Sequence, residues 1–369
     1  MEVYKVNHYD EWKNTRMEAY QSDFYHSHPY HALAEERGEG VAQMWVYREG
    51  GYMIALPLLV RSLADVDGFE EEGSAWYDAV SVYGYVGPIA SHQVIPPAIV
   101  RNFQAALATK LREQRVISVF SRLHPLIPTG QLIDGLGEQI EHGSTIAIDL
   151  SVTPDEQWRQ FRLNHRRQIS RLRRHGYTFF HDDEREALGE FVSIYTETMT
   201  RVDAEEKYFF DDAYFSSLLD GRLRNSHLFF LLDQGTPVCG GVFVECGGIL
   251  EFHLGGTRNH ALARSPMKLL VDEVRLWATA RCFRSLHLGG GKDSLFHFKA
   301  GFSDRSHPFT TWQWVTNHAV HDEACRRRAA FDRQHGREPA PGRFFPPYRS
   351  PLKPGASPNC CVAAAGALS

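Results

Sequence analysis

Glycines 289, 290 and 291 stand together, and shortly after them runs Phe298-Lys299-Ala300-Gly301-Phe302. Adjacent glycines let the backbone take positive φ and let another molecule approach the main chain. Lys299, beside Phe298, supplies one positioned cation next to that opening. Such a donor suits a reaction that builds negative charge on an oxygen, as when an amine attacks an ester or thioester carbonyl. It suits the anchoring of phosphate equally. The ordinary alternative is a glycine-rich turn carrying a surface lysine. For a proton acceptor, Glu245, Glu251 and His253 fall on adjacent predicted strands, and period-two alternation puts Glu251 and His253 on one face. A buried glutamate or a histidine near neutrality can take the proton of an attacking amine. An ordinary strand pair, or a buried histidine satisfied by a neighbour, is the competing reading. Tyr208 and Tyr214 are candidates for lining a pocket, or for core.

A second group is basic. Arg159, Arg162, Arg166, Arg167, Arg171, Arg173 and Arg174 fall within about four helical turns. Helical spacing sorts them into two stripes, one with Arg167, Arg171 and Arg174. Arginine forks suit phosphate, so these three are candidates for a polyanionic substrate such as a tRNA backbone. The alternative is a solvated helix face neutralised by the acids at 182–187. His26, His28 and His31 resemble a metal cluster, but no further ligand pattern accompanies them, and no metal is expected.

The elements that must position these residues follow from composition and pattern. The chain has 369 residues, 43% hydrophobic and 23% charged, with a formal net charge of -5. That length suits two globular domains, and the charge gives no global field for DNA or a membrane surface. No apolar run approaches the roughly 20 residues that span a bilayer. The N-terminus lacks the apolar core of a signal peptide, and the six cysteines form no CxxC, so a cytoplasmic protein is expected.

In the first half, strands are expected at 3–6, 43–48, 52–61, 116–121 and 145–150, with helices at 9–16, 29–37 and 96–114. In the second, Thr153-Pro154-Asp155-Glu156 opens a helix running to Arg174 and stopped by Gly176. A strand at 177–181 and helices at 186–201 and 211–219 follow. Then come a three-stranded meander over 226–255, a helix at 266–281 and the strand 285–288. A tail from 336 to 369, rich in proline, glycine and alanine, reads as disordered.

This order resembles tandem Gcn5-related N-acetyltransferase domains, an α/β fold of mixed, mostly antiparallel sheets flanked by helices. The boundaries expected are 1–150 and 151–320, the second being catalytic. Individual motifs are similar to those of the FemAB-like aminoacyltransferases and BioF2-like acetyltransferases. They include Arg171 to Tyr177, Tyr195-Thr196-Glu197-Thr198-Met199, Lys207-Tyr208-Phe209, Leu254-Gly255-Gly256-Thr257 and Ser265-Pro266. The glycine triple with Phe298 to Phe302 continues the set, and Tyr25-His26, Pro57 to Arg61 and Tyr83 to Pro88 match in the first half.

The resemblance implies acyl transfer, with aminoacyl-tRNA as donor and an amine of a peptide, peptidoglycan precursor or small molecule as acceptor. It implies that Lys299 is important for transfer, with Phe298 beside it, and it implies no bound cofactor. Acyl-CoA enzymes of this fold cradle pyrophosphate on a glycine-rich turn before a helix. Here that stretch, Thr257 to Pro266, has no glycine. Transfer from aminoacyl-tRNA therefore ranks above an acyl-CoA donor, and a non-catalytic module of the same fold ranks third.

Overall fold

The computed structural model describes residues 1–205, 208–220, 225–291, 293–338 and 344–351. Its elements run β1 (Glu2–Lys5), α1 (Tyr9–Glu18), α2 (His28–Glu36), β2 (Val41–Glu49), β3 (Tyr52–Ser62), α3 (Glu70–Gly73), β4 (Tyr77–Val80), β5 (Ile89–Ala90), α4 (Pro97–Glu113) and β6 (Val116–Arg122). There follow β7 (Glu138–Asp149), α5 (Pro154–Gln160), α6 (Leu163–Arg174), β8 (Thr178–His181), α7 (Leu188–Arg201) and α8 (Asp212–Leu219). The chain continues with β9 (Ser226–Asp233), β10 (Thr236–Cys246), β11 (Ile249–Thr257), α9 (Met267–Ala280), β12 (Ser285–Gly289), α10 (Asp293–Lys299), β13 (Ser306–Val315) and α11 (His318–Gln334). Two compact units result: residues 1–142 with the described chain from Phe309 onward, and residues 143–308.

In the first unit the strand order is β1-β2-β3-β4-β6-β13, with β5 paired to β3. All pairs are antiparallel except β4 with β6. Phe103, Leu107 and Leu111, one helical turn apart along α4, are fully buried with Trp45, Leu56, Leu58 and Trp312. Two expectations are corrected here. Residues 309–320 pack with the first unit rather than the second, because β13 adds to β6 from Thr311 to Val315. The tail is ordered over 344–351: Tyr348 is fully buried, its hydroxyl 2.7 Å from that of Ser118, and Arg349 meets the buried Asp78 at 2.6 Å. An aromatic side chain and an arginine fork anchor a segment whose proline and glycine content reads as unstructured. Residues 352–369 lie outside the described residues.

In the second unit the order is β7-β12-β11-β10-β9-β8, antiparallel except β11 with β12. Ile169 and Leu172 of α6 and Leu269, Leu270, Val271 and Val274 of α9 bury one face of this sheet, with Phe229, Leu231, Leu250 and Leu286. Phe191 and Phe215, on α7 and α8, pack on the other face, where Phe230 points. The capping box is present as expected: the Thr153 side chain accepts from the Glu156 backbone, and Glu156 accepts from the Thr153 N–H. The continuous helix to Arg174 is not. Phe161 and Arg162 take extended ψ angles of 137° and 144° and split it into α5 and α6. Phe161 is thereby turned into the core, 5.2 Å from Phe302, and Arg159 leaves the arginine stripe.

Candidate active site

The parallel pairing of β11 with β12 covers only Ile249, Leu250 and Glu251, opposite Ser285, Leu286 and His287. Beyond it β11 runs on along β10 to Thr257, through a bulge at His253, between Phe252 opposite Phe243 and Leu254 opposite Val242. On β12 the register slips between His287 and Gly289, and Gly289 turns the chain away at φ +73°. The two strands therefore part directly after Glu251 and His287.

At that point Glu251 Oε2 lies 2.5 Å from His287 Nδ1, both side chains being buried. Leu250 and Phe252 join the core under α9, so Glu251 and His253 share the opposite face, as alternation predicts. There His253 Nε2 lies 3.1 Å from the Tyr214 hydroxyl, and the Tyr214 ring stacks on Phe210 at 4.1 Å.

Lys299 comes to the same region on α10. Its Nζ donates to the Gly290 carbonyl at 2.6 Å, so the glycine loop closes over the lysine that follows it. The residue as a whole is half-buried, but the ammonium is enclosed. Burial lowers its pKa to about 8, while the Glu251 carboxylate opposes that shift. Gly291, at the end of the loop, abuts Leu295; a Cβ there would lie 2.6 Å from that side chain.

Phe298, read from sequence as catalytic, is placed as a support. Its carbonyl is 2.9 Å from His165 Nε2, and its ring packs 5.4 Å from Phe302. His165, on α6, escaped sequence reading. Its imidazole fills the space over Gly301, where a Cβ would come within 2.2 Å of the ring, and Arg162 N donates to the Gly301 carbonyl. Burial, with Lys268 nearby, lowers the His165 pKa to about 4, so it acts as a neutral strut. The signal for Gly301 was its place in the motif; nothing marked its partner. His287 was missed too, though period-two spacing before the glycine triple could have singled it out.

The arginines sort by their partners. Arg173 is tied to Asp272 at 2.7 Å and Glu273 at 2.8 Å on α9, so α9 and not the 182–187 segment neutralises the helix. Arg167, Arg171 and Arg174 are exposed, and no ion pair holds them among the described residues; Arg171 touches only His175, at 3.4 Å. Arg258 is bound by Glu190 at 2.5 Å and Glu197 at 2.9 Å, and Arg264 by Asp233 at 2.8 Å. Both are thus engaged with carboxylates, in a turn that forms a 3-10 helix over Asn259–Arg264. Tyr208 lies between α7 and α8, its carbonyl accepting from the Tyr195 hydroxyl at 2.8 Å. Glu245 sits 3.4 Å from His227, away from the other candidates. His26, His28 and His31 each have a ring nitrogen within hydrogen-bonding distance of a backbone carbonyl, respectively of Val86, Val6 and Ser27.

Among the described residues no helix is long and apolar enough to cross a membrane. Residues 159–300 match the model of the acetyltransferase (GNAT) domain family. No curated protein matches the chain. Among solved structures, FemX superposes with a TM-score of 0.66 at 12% identity, over 88% of this chain and 99% of FemX. L-PGS from Bacillus licheniformis gives 0.55 at 14%, over 89% and 97% of the two chains. The C-terminal domain of a candidate lysylphosphatidylglycerol synthetase from Agrobacterium fabrum gives 0.50 at 16%, over 82% and 90%. These likenesses are of fold; the domain match sets aside the reading of a non-catalytic module. The chain carries, over residues 159–300, a domain matching the acetyltransferase (GNAT) family, and it is an acyltransferase.

Proposed function

We propose that the chain transfers an aminoacyl group from aminoacyl-tRNA to an amine of a peptide, a peptidoglycan precursor or a small metabolite, forming an amide. The observation that carries this reading is the enclosed Lys299 ammonium beside Glu251 and His287 where β11 and β12 part. The acceptor amine attacks the ester carbonyl, a C–N bond forms, and the carbonyl oxygen takes up negative charge. Lys299, mostly protonated at neutral pH, donates to that oxygen in surroundings where water does not screen it. Glu251, with His287 against it, accepts the proton released by the amine. Collapse breaks the bond to the ribose oxygen, which leaves as a hydroxyl with the proton that Glu251 took from the amine, so atoms and charges balance.

The choice of donor rests on the arginines. The turn where a pyrophosphate would sit has its two arginines engaged with carboxylates, whereas Arg167, Arg171 and Arg174 present guanidinium groups to solvent. One observation favours the second reading, an acyl-CoA donor: past Glu251 the edge of β11 is free of β12, and an extended amide-bearing arm can pair with such an edge. Filter binding of a pooled, radiolabelled aminoacyl-tRNA mixture, with acetyl-CoA as competitor, decides between them. Saturable retention indifferent to acetyl-CoA is the expected result. Absence of tRNA retention with calorimetric binding of acetyl-CoA would replace the donor and leave the transfer chemistry in place.

A further inference from the structure

Each unit contains one parallel strand pair joined through a helix: β11, α9 and β12 in the second, β4, α4 and β6 in the first. The pairing of β4 with β6 ends at Val80 opposite Phe120, as that of β11 with β12 ends at Glu251 opposite His287. Two residues further on, where the second unit has Gly289 and turns away, the first has Arg122. Its backbone is held on both sides. Arg122 N donates to Ser81 Oγ at 3.2 Å, and the Arg122 carbonyl accepts from Val86 N at 2.9 Å. A further parallel bridge joins Val86 to Leu123, and β13 pairs along the other edge with Thr311 opposite Arg122. The parting that stays open in the second unit is closed here, and it fixes the root of a cationic side chain.

The half-buried Arg122 guanidinium lies over the rings of Phe120 and Tyr83, its central carbon 5.8 and 5.9 Å from their centroids. Phe345, from the ordered part of the tail, stacks on Phe120 at 6.4 Å, and all three rings are partly exposed. Aromatic faces hold a guanidinium in place without using its N–H donors. Those donors meet no carboxylate or carbonyl among the described residues. The other half-buried arginines of this unit do meet acids. Arg61 and Arg349 share Asp78 at 2.7 and 2.6 Å, Arg328 reaches Asp332 at 2.9 Å, and Arg327 reaches Glu323 at 2.6 Å. A placed guanidinium with no acid of its own suits an oxyanion, which takes two N–H groups at once. We propose that Arg122 binds the oxyanion of a ligand in the first unit, with Phe120 and Tyr83 fixing the guanidinium. The proposal goes beyond the transfer reaction and holds for either acyl donor. Two sources share the chemistry: a carboxylate and a phosphate ester.

The test is calorimetry on the full chain at neutral pH with three probes that share one ring: phenyl phosphate, benzoate and benzyl alcohol. Binding of either anion, with none of the alcohol, is expected, and the tighter anion names the source. Arg122→Gln removes the charge and should weaken that binding by roughly tenfold or more. It should melt close to wild type, since no ion pair is lost. Arg122→Lys keeps the charge but not the fork, and should bind more weakly than wild type and more tightly than Arg122→Gln. Failure of wild-type protein to bind either anion overturns the proposal, as does equal binding of the alcohol or equal affinity in Arg122→Gln. A sharp fall in melting temperature in both variants overturns it too, because the guanidinium would then serve the fold. None of these outcomes depends on tRNA retention, so the donor assignment fails or stands separately.

Discussion

Each unit buries an ionisable group in its interior, and the two are treated differently. Lys299 in the second unit has a carbonyl to donate to and the Glu251 carboxylate acting on its charge. Asp23 in the first lies 3.0 Å from His124 through Oδ2, while its Oδ1 has no hydrogen-bond partner. Burial alone therefore says little about role; the counter-charge decides. A buried cation with a carboxylate in its field keeps its proton near neutrality and can serve a reaction.

The contrast breaks most sharply at Lys299. Lys299→Met should lower transfer by about 10²–10³-fold, the loss typical of a removed oxyanion donor. Because burial works against the charged lysine, the folded state binds fewer protons than the unfolded chain from about pH 8 up to the ordinary lysine value of 10.5. Stability contributed by this group thus rises with pH across that window and is reduced below it. The methionine variant should accordingly melt no lower than wild type at pH 7, whereas a purely structural lysine would cost stability. In wild type, activity should fall as pH rises through about 8, where the donor loses its proton.

Glu251→Gln sharpens the comparison from the other partner. Loss of the proton acceptor should reduce turnover by about 10²-fold. Loss of its charge also removes what holds the lysine pKa up, so the alkaline limb of the pH profile should move to lower pH. An unmoved limb would separate the two groups and sink the assignment.

Smaller effects follow at groups that carry substrate rather than chemistry. Reversing Arg167 and Arg171 together to glutamate should weaken aminoacyl-tRNA retention by roughly tenfold or more and flatten its salt dependence. Melting should be unchanged, since neither side chain is in an ion pair among the described residues. Gly301→Ala should cost about 1–3 kcal/mol by overpacking against the His165 ring, with a modest loss of turnover as Lys299 is displaced. A full-strength Gly301→Ala enzyme with wild-type melting would show that His165 does not set the lysine.

Much of this site was legible in sequence, for identifiable reasons. Gly289 turns the chain at positive φ, and Glu251 and His253 share a face by strand alternation; both are local rules that tertiary context leaves intact here. The Phe-Lys-x-Gly-Phe run likewise kept its place. What failed was anything requiring a partner distant in the chain. Phe298 was taken as chemical because it adjoins Lys299, yet its carbonyl and ring serve His165, which comes from α6. The arginine stripe assumed a continuous helix, and the break at Phe161-Arg162 was decided by Phe161 packing on Phe302.

By itself, the sequence determined the local features: the capped start at Thr153, the order of helices and strands, the glycine exit from β12 and the residue types able to do acyl chemistry. These depend on backbone sterics and on side-chain periodicity, which act over a few residues. Only the tertiary structure decided which charges are spent. It paired Arg258 with Glu190 and Glu197, left Arg167 and Arg171 in solvent, joined Glu251 to His287, and set Asp23 against His124. Counter-charges come from distant parts of the chain, and the interaction between charges depends steeply on distance and burial, so no local pattern encodes it.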